Sequence, residues 1–566
     1  PPLPPIPAVH GPLRVHVVYP ASDALIAARD SNFIFGSVGT GDATLSIDGV
    51  PVEVQPNGAF LAFLPVPRAP RYELVAAAGG DTVRLTHPVR LLPPPLALPD
   101  TGRLRVDSAS VTPAEPLTLR AGEMVRVGVR APSNATVAVE TSDGVTLPLA
   151  LVDETRWATD LAAVRFAPGA ELVVARGVDT VRLALPAVTA TAPGARTLVR
   201  LGDPEPADSG DRRIVGRPVA GGTYRWFFVP GTVVERTGAA GTQQRVRLAA
   251  DLEVWVNGAD VRELPDATPA PRRVVGNARV EPAAEWVDLV LPVSERPPYL
   301  VEERDDAIVL TLYGTTANTD IIHFVAGDSL VRDVTWAQRP GGRAEYRVHL
   351  ARAPYGYLAL WRDGAFVLRV RRPPAVDPRA PLRGIRVAVD PGHPPIGATG
   401  PTGLYEAEAT LAIGRELRAE LERRGATVVM TRTTMAPVAL GDRPIMARRA
   451  GAHVLVSVHL NALPDGVNPF ETNGTGTYYF HPQAAALARA VQAGMVRRMG
   501  LRDLGVNYDN LALARPTWMP AVLCEGAFLM IPEQEAALRT PEFQRAYARG
   551  VADGLEAYFR SLAEPR

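Results

Sequence analysis

Three apolar runs late in this 566-residue chain each stop at a side chain able to bind a metal. Val387-Ala-Val-Asp390 breaks at Pro391-Gly392 and presents His393. His453-Val-Leu-Val-Ser-Val-His459 ends in a second histidine, and Ala521-Val-Leu-Cys-Glu525-Gly526 ends in a carboxylate. Short valine-rich runs of this kind read as buried strands, and the break after each puts its last polar residue at the rim of a sheet. Glu406 lies between the first two runs, just ahead of a helical pattern. Two histidines and two glutamates are the parts of a catalytic zinc site, which takes three N or O ligands and keeps a position open for water.

The surrounding texture predicts the frame. Apolar runs at 385–390, 426–431, 454–459, 475–480 and 521–525 alternate with helical stretches at 407–424, 484–499 and 541–561. Strands alternating with helices predict an α/β domain, an open twisted sheet covered by helices on both faces. Sites in such sheets collect beyond the carboxyl ends of strands, where His393, His459 and Glu525 fall.

Residues 384–562 resemble the zinc-dependent N-acetylmuramoyl-L-alanine amidases of the Amidase_3 type. The matching runs are Val389-Asp-Pro-Gly-His393, Gly403-Leu-Tyr-Glu406 with Leu411-Ala-Ile413, Thr431-Arg432, Ser457-Val-His-Leu-Asn-Ala462, and Pro520-Ala-Val-Leu-Cys-Glu-Gly526 with Phe528-Leu529. The resemblance implies one zinc ion held by His393, Glu406 and His459, with Glu525 as catalytic acid/base. It implies cleavage of the amide joining the muramoyl lactyl group to L-Ala of the stem peptide. Peptidoglycan is then the substrate, and the location is the cell envelope, periplasmic or secreted, with a signal peptide removed. Three departures stand out: His453 where the family has Asp, Arg448 where it has Asn, and Met530-Ile531 where it has Ser-Asn. Regulated members insert a blocking helix after the strand that holds Tyr478-Tyr479. The 480–515 stretch has room for one ordinary helix and a loop, so no such plug is expected.

Each assignment has a plainer rival. Glu406 competes with Glu408, and at a helix start either serves as a cap. Glu525 is otherwise an ion-pair partner, though a carboxylate closing an apolar strand is costly without a task. Asn461 and Arg515 either orient substrate or make structural hydrogen bonds. Arg432 and Arg443 read as structural ion pairs. Cys524, the single cysteine, excludes an intrachain disulfide and reads as a small buried hydrophobe. Two rival functions remain: a wall-binding scaffold that has lost catalysis, and a zinc peptidase or deacetylase acting on another wall bond.

The first two-thirds read as several small all-β domains. Leu45 and Ile47 alternate with polar neighbours, Asp48-Gly49 turns, Val50, Val52 and Val54 alternate back, and Asn57-Gly58 turns again. Such hairpin signals predict a sandwich over 1–100. A second, immunoglobulin-like sandwich is expected over 101–200, from Val125, Val127 and Val129 and the turn Ser142-Asp143-Gly144. Tyr224-Arg-Trp-Phe-Phe228 and Val254-Trp-Val256 resemble an SH3-like domain at 205–266. Ile308-Val-Leu-Thr-Leu-Tyr313 and the Asp363-Gly364 turn resemble an AMIN-like domain at 275–372. The proline-rich 373–383 is a linker by composition, and 384–566 is the catalytic domain. Envelope proteins are possible partners for the β domains. A net charge of zero gives no electrostatic reason to expect nucleic acid, and no apolar run reaches the length of a membrane span.

Overall fold

The computed structural model describes residues 2–563 except 142, 167–168, 193, 206–209 and 326–327. Ser142 of the expected turn, and part of the expected third unit, therefore lie outside the described residues. The molecule is mostly β, with several sheets in series and few helices.

In the first unit, His16–Tyr19, Ser31–Ser37 and Ala59–Pro65 form one sheet, and Thr44–Ile47, Val50–Val52, Arg71–Ala78 and Asp81–Pro88 form another. Asp48 and Gly49 have φ of 50° and 79°. Left-handed geometry at both turn residues matches the twist of the hairpin they close. Ile34, Ile47, Phe60, Tyr72 and Leu74 fill the space between the sheets.

The second unit is another pair of four-stranded sheets, packed about Val125, Val127, Val129, Val137, Val139 and Leu172. Its short strands Leu117–Arg120 and Val188–Thr191 join a seven-stranded sheet with Thr232–Ala240 and its neighbours, so hydrogen bonding runs across the expected 101–200 and 205–266 boundary. The fourth unit opposes a five-stranded sheet to a four-stranded one, around Leu289, Leu310, Tyr346, Phe366 and Leu368. Residues 373–383 form neither helix nor strand. They are nonetheless anchored, because Leu382 is 1% exposed within the core of the last domain.

That domain runs β1 (Arg386–Pro391), α1 (Glu406–Arg423), β2 (Thr427–Met430), α2 (Asp442–Arg449), β3 (Val454–Asn461), β4 (Thr475–Tyr479), α3 (Ala485–Met499), β5 (Asp503–Tyr508), β6 (Ala521–Phe528), α4 (Pro532–Leu538) and α5 (Pro541–Ala563). Its sheet has the order β2-β1-β3-β6-β4-β5. The first four strands in that order are parallel, and β4 runs antiparallel to β6. α1 begins with Glu406 and Glu408, which suit the positive end of its dipole, and stops at Gly425, whose φ of 91° a side chain would resist.

Val387 and Val389 of β1, Val454, Val456 and Val458 of β3, and Val522 of β6 face a layer made by α1, α3 and α5. Three helices cover this side, whereas on the other side a single helix, α2, supplies only part of the cover. On the other, Ala388, Leu455, Ala521 and Leu523 pack against Ala447 of α2, Trp518 and Met519. Val290, Leu358, Leu360 and Val367 of the fourth β unit complete that layer. The reason lies in the strands, which are apolar on alternate sides and need two covers. The five-stranded sheet of the fourth unit is itself apolar on both faces and supplies the second.

Candidate metal centre

The site forms where β1, β3 and β6 end. Asp390 pairs with Ser457 across β1 and β3, and His459 stands beside Glu525 across β3 and β6. Asp390 is fully buried and accepts hydrogen bonds from Thr431 Oγ1 at 2.5 Å, Ser457 Oγ at 2.6 Å and Arg443 Nη1 at 3.0 Å. Arg443 also donates to the His393 carbonyl at 3.0 Å and the Pro394 carbonyl at 3.2 Å. Arg432 donates to the carbonyls of Pro391, Gly392 and Ala407 at 2.7–2.8 Å. These two buried guanidinium groups hold His393 in its left-handed conformation, with φ of 58°. The expected ion pair exists for Arg443, with Asp390; Arg432 serves backbone carbonyls instead.

Glu406, at the start of α1, completes the cluster. Its Oε2 lies 3.2 Å from His393 Nε2 and its Oε1 3.2 Å from His459 Nδ1. The same carboxylate accepts the Ala398 N–H at 2.9 Å and the Leu460 N–H at 3.0 Å. Burial works against its charge, but His393 and His459 outweigh that and hold the carboxyl down at about 2. Glu408 is exposed and points elsewhere. The two imidazole rings stand 4.9 Å apart at 79°, and one ligand atom from each of His393, Glu406 and His459 lies within 4.8 Å of the others. Two nitrogen donors and one carboxylate oxygen, already turned towards one point, fit a zinc ion of the hydrolytic kind. Gly392 permits this closeness, since a Cβ there would sit 2.4 Å from the His459 ring.

Glu525 is the fourth member. Its Oε2 is buried without a hydrogen-bond partner, and it makes no ion pair among the described residues. Burial first, and the charge of Glu406 second, push its carboxyl up. Tyr547 of α5 pins the strands beneath it, donating to the Cys524 carbonyl at 2.9 Å and the His459 carbonyl at 3.3 Å. Cys524 is fully buried and burial raises its thiol, as befits a core residue.

The remaining assignments scatter. Asn461 follows the cluster directly, but its Oδ1 accepts the Ala462 N–H at 2.8 Å and it hydrogen-bonds Tyr478. Arg515 is not brought to the cluster. It lines a cavity of about 950 Å³ between the third and fourth β units and α2, with its guanidinium 4.6 Å from the Tyr224 ring. The role of Asp390 escaped sequence reasoning. The signal was there, since Asp390, like Glu525, is a carboxylate closing an apolar strand.

A family model described as N-acetylmuramoyl-L-alanine amidase, Amidase_3, matches residues 387–557. The probable cell wall amidase LytH of Staphylococcus saprophyticus is 30% identical over 208 residues, which cover 36% of this chain and 67% of that protein. The chain belongs to the Amidase_3 family. LytH of Staphylococcus aureus is 32% identical over 183 residues, 32% of this chain, and the match spans 60% of its length. Among solved structures, the catalytic domain of CwlV, an N-acetylmuramoyl-L-alanine amidase from Bacillus (Paenibacillus) polymyxa, is 34% identical. It covers 31% of this chain and 97% of its own, with a TM-score of 0.29.

Two of the three departures of this Amidase_3 chain from the family pattern, Arg448 and Met530-Ile531, carry side chains that contact the β units. Arg448 pairs with Asp211 of the third unit. At His453 it is the main chain that reaches a β unit, its carbonyl accepting the Tyr355 hydroxyl of the fourth unit at 2.7 Å, while its side chain accepts the Arg386 N–H within the α/β domain. Met530 and Ile531 pack on Phe33, Phe35 and Leu61 of the first. After β4, the described residues up to Arg515 hold a one-turn 3-10 helix, α3, β5 and loop, with no additional long helix.

Proposed function

We propose that this chain hydrolyses peptidoglycan at the amide between N-acetylmuramic acid and L-Ala of the stem peptide. In this reading one zinc ion is held by His393, Glu406 and His459, and Glu525 is the acid/base. The observation that carries it is a Glu525 carboxyl whose Oε2 is buried without a hydrogen-bond partner and whose strand position is beside His459. Membership of the Amidase_3 family supports the choice of bond.

Zinc held by His393, Glu406 and His459 would supply a water of lowered pKa, polarisation of the scissile carbonyl and a positive charge opposing the effect of burial on Glu525. Glu525 Oε2 takes the proton as the water oxygen bonds to the lactyl carbonyl carbon. It then delivers that proton to the L-Ala nitrogen as the C–N bond breaks, leaving a lactyl carboxyl and a free amine. Asp390, through Arg443, keeps His393 turned to the cluster. Glu406 stays ionised through the neutral range, and the Ala398 and Leu460 N–H groups fix its two oxygens.

The units at 1–100, 101–200, 205–266 and 275–372 are then modules of an envelope enzyme, periplasmic or secreted. No helix among the described residues is long and apolar enough to cross a membrane. The test is digestion of purified peptidoglycan by the zinc-loaded chain followed by mass spectrometry. Stem peptides with a free L-Ala amino terminus are expected. Products cut within the peptide or deacetylated on the sugar would replace this reading with a peptidase or deacetylase, and no product at all would leave a scaffold.

A further inference from the structure

The first β unit is clamped to the α/β domain just beyond two of the strands that carry the site. Its strands lay Phe33, Phe35 and Leu61 against Phe528, Met530 and Ile531 in one buried cluster. Polar contacts set the register. The Tyr19 hydroxyl donates to Asp465 Oδ1 at 2.5 Å, and the Ala27 N–H donates to Asp465 Oδ2 at 2.6 Å. The Gly466 N–H donates to Asn32 Oδ1 at 3.1 Å, and Asn32 is fully buried.

Both clamped segments continue strands that carry the site. Residues 463–466 follow His459 on β3, and 528–531 follow Glu525 on β6. The ladder between these strands is irregular there, its register shifting between His459 and Asn461. The regular ladder thus ends at the His459–Glu525 pair, and the residues just beyond it take their positions from other contacts. Gln534 ties the second segment to the loop that continues from the first, accepting the Phe528 N–H at 2.7 Å and donating to Asn473 Oδ1 at 3.0 Å. A carboxylate that receives two short hydrogen bonds from another unit is a fixed point for its loop.

We propose that the first β unit is a positioning element of the active site, acting through Asp465 and the 528–531 turn on His459 and Glu525. Among the described residues Asp465 hydrogen-bonds Tyr19 and Ala27 and none of the proposed metal ligands; it acts through the loop it anchors. The inference rests on the reaction proposed above.

The test compares the full zinc-loaded chain with Asp465→Ala, Tyr19→Phe and the double variant. Stem-peptide release and amide hydrogen exchange over 458–466 and 525–531 are measured. Asp465→Ala is expected to lower kcat about tenfold with KM within about twofold, because misplaced groups cost rate more than binding. Exchange over both segments should speed up. The double variant should be no worse than Asp465→Ala, since both changes remove one contact. Faster exchange with unchanged kcat, or a lower kcat with unchanged exchange, overturns the proposal. If the wild type releases no stem peptide, the assigned reaction fails. Positioning is then read from zinc affinity, which falls severalfold in Asp465→Ala if this contact holds His459 and is unchanged if it does not.

Discussion

At the scale of one side chain, the Glu525 carboxyl combines burial, a raised pKa and an oxygen without a partner. Glu525→Gln keeps its size but cannot shuttle the proton, so stem-peptide release should fall by about 10²–10⁴-fold. Zinc stoichiometry should be unchanged, and activity near wild type would remove Glu525 from the chemistry. Gly392→Ala places a Cβ where the His459 ring stands, 2.4 Å away. Its zinc affinity, measured by competition with a chromophoric chelator, should drop about 10–100-fold.

His453 yields a pH dependence. Burial, then Arg371 and Arg386, pull its pKa down to about 4, and its Nδ1 accepts the Arg386 N–H at 3.0 Å. The unfolded chain takes up this proton near pH 6.5 and the folded chain only near 4. The unfolded state thus binds more protons between these values, and stability falls as pH drops through that window. For a partly exposed ring the loss is about 1–2 kcal/mol. His453→Asn retains an acceptor without a titrating proton, so urea denaturation at pH 4.5 and 7 should show a smaller difference than in wild type.

That His393, Glu406 and His459 come together was expected in sequence because both histidines follow apolar strands, while the choice of Glu406 over Glu408 came from the family resemblance and not from its place at a helix start. The work of Asp390 was not legible there, since it depends on Arg443, which lies 53 residues further along the chain.

At the scale of elements, α3 and α5 cross closely because glycines face each other. A Cβ on Gly554 would lie 2.4 Å from Val491 Cα, and one on Gly494 2.1 Å from the Gly550 carbonyl oxygen. Gly554→Ala should therefore lower stability by about 1–3 kcal/mol through overpacking, despite the better helix propensity of alanine. A rise in melting temperature would show that the helices part freely. The strands and helices of this domain follow from periodicity, since Leu411, Leu417 and Leu421 share one side of α1 and the strand runs are short and valine-rich. What covers the second face of the sheet was not legible. Local pattern shows that Ala388 and Leu455 need a cover, but a helix and a β sheet offer the same apolar surface.

At the scale of the whole molecule, the fourth β unit and the α/β domain share one buried cluster, joined by Arg371. That side chain is 4% exposed and donates to the carbonyls of Ala452 at 2.7 Å and Trp518 at 3.2 Å, while stacking on Trp518 at 4.8 Å. Calorimetry of the full chain should show these two units melting in one transition. Arg371→Ala leaves buried carbonyls unsatisfied and should split that transition in two. The departures at Arg448 and Met530-Ile531 were unexplained in sequence for one reason. Their partners lie hundreds of residues away, and no local signal names a contact at that range.

Leu382 is buried inside the stretch that composition marks as a linker. A blade on a loose tether searches the volume its leash allows. This one is bolted to its handle, so whatever the handle grips sits at a set offset from the edge. The spacing of cuts along the wall would then be dictated by the dimensions of the protein rather than by diffusion of its last domain.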